Sequence, residues 1–236
     1  TEVFGNGDVD TITFDQTTLG GNTVAYGSNT ATPAGTLLAT AANDGEDRFI
    51  VNSLQSMAVG LDGIGHTLTL DGQADTDQFT IRTTGSQGAQ RQYVIDVLDS
   101  GAKDDGADRL SIFGTDASDD IFLLRRMASL PGVPGAEAPA FVALIHGDLD
   151  DARDGSGTIA GRPQSVQRIN YDAQLNGRLE VLGQGGNDYF ALDDNSAVTT
   201  LDGGAGNDTF QFGQLSGSQR LPANLTASGA FDTIAT

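Results

Sequence analysis

The sequence predicts an all-β protein with a parallel β-solenoid fold, and three observations lead to this prediction. Short apolar, β-branched runs recur along the chain, and most of them alternate apolar and polar residues. Turns rich in glycine and aspartate separate the runs and resemble one another, and no stretch keeps a helical period. Evenly spaced short strands indicate an all-β architecture, and a repeated strand-and-turn unit indicates a solenoid.

Thirteen segments have the composition of strands with one buried face. They are residues 10–14, 47–51, 66–70, 77–81, 92–98, 108–113, 120–124, 141–145, 166–171, 178–182, 188–192, 197–201 and 208–212. Together they predict one elongated unit over residues 1–236. Residues 125–168 interrupt the pattern, because Pro131, Pro134 and Pro139 break up any strand in the first third of this segment. We expect a loop excursion from the solenoid there.

The charge of the chain lies in its turns. There are 12 basic and 32 acidic residues, which gives a formal charge of −20, and only four of the acids are Glu. Aspartate is short and bonds its own backbone in turns, whereas a solvated acidic surface would accept Glu equally well. Such a charge argues against nucleic acid as a partner. The chain has no cysteine, and no apolar run has the length of a membrane span.

Two turns near the C-terminus repeat one pattern. Residues 183–190 and 203–210 both read G-x-x-G-N-D-x-F and lie 20 residues apart. Glycine permits positive φ, so successive carbonyl oxygens can face one point. The aspartate adds a carboxylate there, and hard oxygen ligands are those that Ca²⁺ prefers. The spacing is about one coil of a solenoid, so the two turns are expected to stack.

This pattern resembles the RTX family of secreted calcium-binding repeats, whose nonapeptide is G-G-x-G-x-D-x-U-x. The second turn fits that nonapeptide at every defined position. The resemblance implies a β-roll with glycine-rich calcium turns, with RTX-like coils over residues 178–213. It also implies an extracellular protein of the bacterial cell surface, exported by a type I system and folded by calcium outside the cell.

Degenerate copies of the turn occur earlier in the chain, around Asp75, Asp77 and Asp108. Asn187 and Asn207 are included in the turns, although we expect them to support positive φ rather than to bind metal through their side chains. The full set of candidate metal residues is Gly183, Gly185, Asn187, Asp188, Asp202, Gly203, Ala205, Asn207, Asp208, Asp75, Asp77 and Asp108. The cofactor predicted is Ca²⁺, and no catalytic residue is predicted.

The apolar position that follows each turn is expected to form a core stack of Phe79, Leu110, Phe190 and Phe210. The ends of the chain also resemble each other, since GDVDTIT at 7–13 is similar to GAFDTIA at 229–235. This similarity predicts a tandem array of like units, or units that join by strand exchange into a filament.

The sequence therefore predicts a structural repeat of a bacterial adhesin, biofilm matrix or fibre. A carbohydrate- or ice-binding module stays as an alternative, although the chain has no Trp and four Tyr, and its threonines form no extended ladder. A polysaccharide lyase or epimerase is favoured least. No catalytic motif is present, and the 12 basic residues are scattered along the sequence, so no basic groove is expected.

Overall fold

The computed structural model describes residues 1–27, 45–57, 67–89, 91–101, 104–147 and 166–213. These residues form seventeen β-strands without a helix, which confirms the all-β prediction for the described part of the chain. No membrane-spanning helix is found among them. The finer assignment as a solenoid remains a prediction.

All thirteen predicted strands coincide with strands of the structure, and four further short strands occur in the first 57 residues. In chain order the strands are β1 (Glu2–Phe4), β2 (Thr11–Asp15), β3 (Thr18–Leu19), β4 (Thr23–Tyr26), β5 (Arg48–Asn52), β6 (Ser56–Met57), β7 (Thr67–Asp71), β8 (Gln78–Arg82), β9 (Tyr93–Leu98), β10 (Arg109–Thr115), β11 (Ile121–Arg126), β12 (Ala140–Ile145), β13 (Val166–Tyr171), β14 (Arg178–Gln184), β15 (Tyr189–Leu192), β16 (Thr199–Asp202) and β17 (Thr209–Phe212).

Most of the strands belong to two sheets. Sheet A has nine strands in the order β1-β4-β7-β9-β13-β12-β11-β15-β17, and sheet B has six in the order β16-β14-β10-β8-β5-β2. A small third sheet pairs β3 with β6. The chain passes repeatedly from sheet A to sheet B and back, and every strand pair of sheet B is parallel. Equivalent residues of successive repeats therefore lie beside one another.

Antiparallel pairing occurs only between β11, β12 and β13 among the described strands. Strand β12 lies within residues 125–168, where we expected a loop excursion, and β11 and β13 overlap the two ends of that segment. The segment therefore contributes strands to sheet A, while residues 148–165 lie outside the described residues. On either side of this insertion the parallel pattern continues, because β13 pairs with β9 and β11 pairs with β15.

Apolar side chains from both sheets form one hydrophobic cluster. Parallel pairing in register places like residues side by side. Phe49 stacks on Phe79 with ring centroids 5.0 Å apart. In sheet A, Phe122 stacks on Phe190 at 5.0 Å, and Phe190 stacks on Phe210 at 4.9 Å.

Three of the four predicted core residues are buried, namely Phe79, Leu110 and Phe190. Phe210 differs, because its side chain is 40% exposed. It lies on β17, at the edge of sheet A. Its ring is stacked on one side, and no described strand covers the other side.

Candidate functional site: the aspartate ladders

The two repeated turns of the sequence lie side by side. Gly185 and Ala205 form a parallel bridge. The N–H of Gly186 donates to the carbonyl oxygen of Ala205 at 3.0 Å, and the N–H of Ala205 donates to that of Gln184 at 2.8 Å. The turns at 183–188 and 203–208 therefore stack as the 20-residue spacing predicts.

Aspartates that directly precede strands of sheet B form a hydrogen-bonded row, here called the first aspartate ladder. The N–H of Asp10 donates to Oδ1 of Asp47 at 2.7 Å, and the N–H of Asp47 donates to Oδ1 of Asp77 at 2.8 Å. The N–H of Asp77 donates in turn to Oδ1 of Asp108 at 2.8 Å. The row ends on an amide, because the N–H of Asp108 donates to Oδ1 of Asn176 at 3.2 Å.

A second aspartate ladder precedes strands of sheet A. The N–H of Ser86 donates to Oδ1 of Asp120 at 2.6 Å. The N–H of Asp120 donates to Oδ1 of Asp188 at 2.7 Å, and that of Asp188 to Oδ1 of Asp208 at 2.9 Å. In both ladders the backbone N–H of the residue earlier in the chain donates and the side-chain oxygen of the later residue accepts. Each bond joins two neighbouring repeats.

The position of these aspartates explains why a hydrogen-bond acceptor is needed there. A backbone N–H at the start of a buried strand needs an acceptor, because leaving it unpaired costs free energy. The carboxylate of the next repeat supplies one, and hydrogen bonds to charged groups contribute about 1.5–3 kcal/mol each. Asp47, Asp77, Asp108, Asp120 and Asp188 are all buried. The ladders therefore satisfy the backbone at the corners where the chain changes sheets.

A glycine five residues before the aspartate makes room for the second carboxylate oxygen. A Cβ added at Gly183 would lie 1.9 Å from Oδ2 of Asp188, and one added at Gly203 would lie 2.2 Å from Oδ2 of Asp208. The same spacing occurs at Gly72, where the Cβ would lie 2.1 Å from Oδ2 of Asp77. The first glycine of the repeated motif is therefore required by close packing against its own aspartate.

Asn187 and Asn207 do not have the role that we expected. Neither has a positive φ, and the left-handed positions in these turns are Gln184, Gly186, Gly204 and Gly206. Instead, the N–H of Asn207 donates to Oδ1 of Asn187 at 3.0 Å. The N–H of Asn187 donates to Oδ1 of Asp119 at 2.6 Å. These bonds run opposite in direction to those of the adjacent aspartate ladder, so the two turns are joined from both sides.

The Asp188 carboxylate is the buried acid of the two repeated turns. Its Oδ2 is buried and accepts no hydrogen bond among the described residues. Burial raises the pKa of the Asp188 carboxyl to about 6, and the charges of neighbouring aspartates add to the rise. The carbonyl oxygens of Gln184 and Ala205 each accept one hydrogen bond, which leaves one lone pair on each.

The remaining predicted residues are placed differently. Asp202 is exposed, and its Oδ1 accepts a hydrogen bond from the N–H of Gly204 at 3.0 Å. Asp75 has φ of 68°, and its Oδ2 accepts a hydrogen bond from the N–H of Gly45 at 3.2 Å. Asp77 and Asp108 belong to the first ladder, away from the turns of Asp188 and Asp208. The twelve residues therefore do not converge on one site.

Asp99 is a residue that the sequence did not single out. It follows β9 at the position that Gly72 occupies after β7, since the N–H of Gly72 donates to the carbonyl oxygen of Leu98 at 3.0 Å. Burial and the charge of Asp108 raise the pKa of Asp99 to about 8. Burial also raises the pKa of Asp108. The sequence signal was Leu98-Asp99-Ser100-Gly101, in which an acid replaces the usual glycine.

No group of three or more His, Asp or Glu side chains with the arrangement of a metal site occurs among the described residues. Comparison of the chain with protein families, curated proteins and solved structures finds no match.

Proposed function

We propose that this chain is an extracellular structural repeat of a bacterial surface adhesin, biofilm matrix or self-assembling fibre. We further propose that its alternating parallel sheets form a β-solenoid. The observation that supports this function best is the pair of aspartate ladders, because each of their hydrogen bonds joins a backbone N–H to a side chain of the next repeat. A protein organised by contacts between successive repeats is suited to an extended load-bearing role.

Calcium is the proposed cofactor of this structure. The support is the charge of −20, the buried Oδ2 of Asp188 that accepts no hydrogen bond among the described residues and the resemblance of the turns to RTX repeats. Before export, repulsion between unscreened aspartates would keep the chain expanded. Outside the cell, millimolar calcium would lower that repulsion, so that folding and cation binding form one equilibrium. Type I secretion belongs to the same proposal.

The calcium proposal is tested by the shift in melting temperature between excess chelator and millimolar CaCl₂, followed by circular dichroism. The test variant is Asp188→Asn with Asp208→Asn, because an amide keeps the ladder acceptor and removes the charge. The control is Asp15→Ala with Asp116→Ala, which removes two exposed carboxylates. We expect a smaller calcium-induced shift in the test variant alone. A wild-type melting curve that calcium leaves unchanged would contradict the proposal.

Self-association with like units is proposed at the β17 edge. Phe210 is 40% and Phe212 is 65% exposed there, and a further parallel strand would continue the row of rings. Electron microscopy of concentrated calcium-loaded protein should show filaments, and Phe210→Ser with Phe212→Ser should shorten or abolish them. Monodisperse wild-type particles would count against assembly.

A further inference from the structure

The outward face of four central strands of sheet B has a charge opposite to that of the chain. Its residues come from β5, β8, β10 and β14 and alternate with buried ones. This arginine face consists of Arg48, Ile50, Asn52, Gln78, Thr80, Arg82, Arg109, Ser111, Phe113, Arg178, Glu180 and Leu182. It contains four of the chain's 12 basic residues and one of its 32 acidic residues. Basic residues that are scattered along the sequence therefore lie together on this surface, where we expected no basic groove.

Three of the arginines share one row across the strands. Arg48 is in register with Gln78, Gln78 with Arg109, and Arg109 with Arg178. Neighbouring strands lie about 4.8 Å apart, so the row extends over roughly 14 Å. Across the sheet, the side chains of this row are Arg48, Gln78, Arg109 and Arg178 in order.

An open groove of about 310 Å³ lies along this row. The two charged residues that line it are Arg109 and Arg178. The groove is lined by Thr76, Gln78, Ala107, Arg109, Gly177 and Arg178. A Cβ at Gly177 would lie 2.4 Å from the carbonyl oxygen of Asp108, so the backbone approaches closely at this point. The N–H of Ala107 donates to Oγ1 of Thr76 at 3.0 Å, which fixes the adjoining wall.

The guanidinium groups are oriented but retain free donors. Nη2 of Arg109 lies 3.3 Å from Oε1 of Glu180, and the Arg109 side chain is 54% exposed. Nη1 of Arg178 donates to Oγ1 of Thr200 at 2.7 Å. A guanidinium has five N–H donors, so each of these contacts leaves most of them available to a ligand.

We propose that the arginine face binds a linear polysaccharide with one carboxylate on each sugar, that is, a polyuronate. Arginine pairs with carboxylates through two parallel hydrogen bonds, and a row of arginines matches a row of carboxylates along a polymer. Gln78 and the hydroxyl and amide groups of the face suit sugar hydroxyls. Single-stranded nucleic acid fits less well, because its binding sites use several aromatic platforms for bases, and this face has only Phe113.

This inference goes beyond the proposed structural role, and its residues belong neither to the candidate calcium turns nor to the β17 edge. The arginine row lies at the start of the sheet B strands, whereas the turn at 183–188 follows the end of β14. Six residues of extended chain separate Arg178 from Gln184, which is about 20 Å. The two sites can therefore be tested separately.

The experiment is a titration of the full chain with trigalacturonate by isothermal calorimetry. Its matched control ligand is the methyl-esterified trisaccharide, which keeps the sugars and removes the charge. The test variant is Arg109→Gln with Arg178→Gln. The control variant is Arg125→Gln with Arg126→Gln, a pair on sheet A whose partners are Asp193 and Asp194. Both variants lose two positive charges.

We expect wild type to bind the acid form, and the Arg109/Arg178 variant to bind it about ten-fold or more weakly. The Arg125/Arg126 variant should stay within about two-fold of wild type. Absence of binding in wild type, equal losses in the two variants, or equal binding of the ester would overturn the proposal. Tighter binding of a thymidine oligonucleotide of equal charge would overturn the choice of ligand. Circular dichroism of each variant excludes loss of fold as the cause.

Discussion

The N–H of Asp120 donates to Oδ1 of Asp188 at 2.7 Å, although 68 positions separate the two residues in the chain. Strands β12 and β13 lie between them in sequence and are placed on the other side of β11 in sheet A. The second aspartate ladder therefore passes the antiparallel insertion without a break. The insertion enlarges sheet A and leaves the stacking of the corners intact.

Replacement of a ladder aspartate should weaken the preceding repeat. Asp77→Ala removes the acceptor of the Asp47 N–H, so we expect the free energy of unfolding in urea to fall by about 1–3 kcal/mol. Asp77→Asn should cost less, because Asn176 already serves as an acceptor in the same ladder. Asp116→Ala, at an exposed position, is the control.

Hydrogen exchange gives a second measurement on the same variant. The amide of Asp47 should exchange faster in Asp77→Ala than in wild type, because it has lost its partner. Exchange at Asp120 should not change, since that residue belongs to the other ladder. Equal acceleration at both amides would indicate general destabilisation and contradict a ladder role.

The first glycine of the repeated turn should not tolerate a methyl group. Gly183→Ala would place Cβ 1.9 Å from Oδ2 of Asp188, and overpacking of this kind costs about 1–3 kcal/mol. Gly20→Ala is the control, because nothing lies within 4 Å of a Cβ there. Thermal unfolding should separate the two variants, and a Gly183→Ala protein as stable as the control would refute the packing argument.

The stability that the protein loses on removal of a stacked phenylalanine ring should depend on the place of that ring in the row. Phe190→Ala removes a fully buried ring between Phe122 and Phe210, and such a change costs about 3–5 kcal/mol. Phe210→Ala should cost clearly less, because that ring is 40% exposed and stacked on one side. Urea unfolding of both variants measures the difference, and equal losses would mean that the β17 edge is covered.

In the absence of calcium, with enough salt to screen the repulsion between aspartates, stability should decrease as pH rises from about 4 to 8. Burial and the charge of Asp108 raise the pKa of Asp99 from its ordinary value of 3.8 to about 8. The folded state then binds more protons than the unfolded state over this range, so the free energy of unfolding falls with increasing pH. Burial shifts the pKa of Asp71, Asp96 and Asp120 in the same direction.

The variant Asp99→Asn isolates one contribution to this pH dependence. It removes a titrating group and keeps the side-chain volume, so the decrease in melting temperature between pH 5 and pH 8 should become smaller. Melting curves in chelator at several pH values measure it. An unchanged slope, or a wild-type melting temperature that rises with pH, would contradict the assignment.

Local sequence patterns predicted the strands well and their partners less well. Alternating apolar residues located thirteen strands, because each has one buried face over about five residues. The short strands β1, β3, β4 and β6 escaped this reasoning. Antiparallel pairing of β11, β12 and β13 also escaped it, because a composition of Val, Leu and Ile does not distinguish the two directions.

The sequence predicted where the two glycine turns lie relative to each other, but it did not predict the hydrogen bonds of their aspartates. The spacing of the glycine turns correctly placed residues 183–188 beside residues 203–208. The sequence identified the marker aspartates, but not that their carboxylates accept hydrogen bonds from the preceding repeat. The sequence could not predict the arginine row for a related reason. Gln78 and Arg178 flank Arg109 at distances of 31 and 69 positions along the chain, and only the register of the sheet brings them together.

The ring of Phe210 stacks on Phe190 at 4.9 Å, almost the same distance as the 5.0 Å between Phe122 and Phe190 inside the row. Within the described part of this edge, β17 (Thr209–Phe212) contains no lysine or proline that would discourage a further strand. Any parallel strand with an apolar side chain at that register would extend it as readily as β17 extends β15. Among the described residues, strand β17 therefore sets no limit to the number of strands in sheet A.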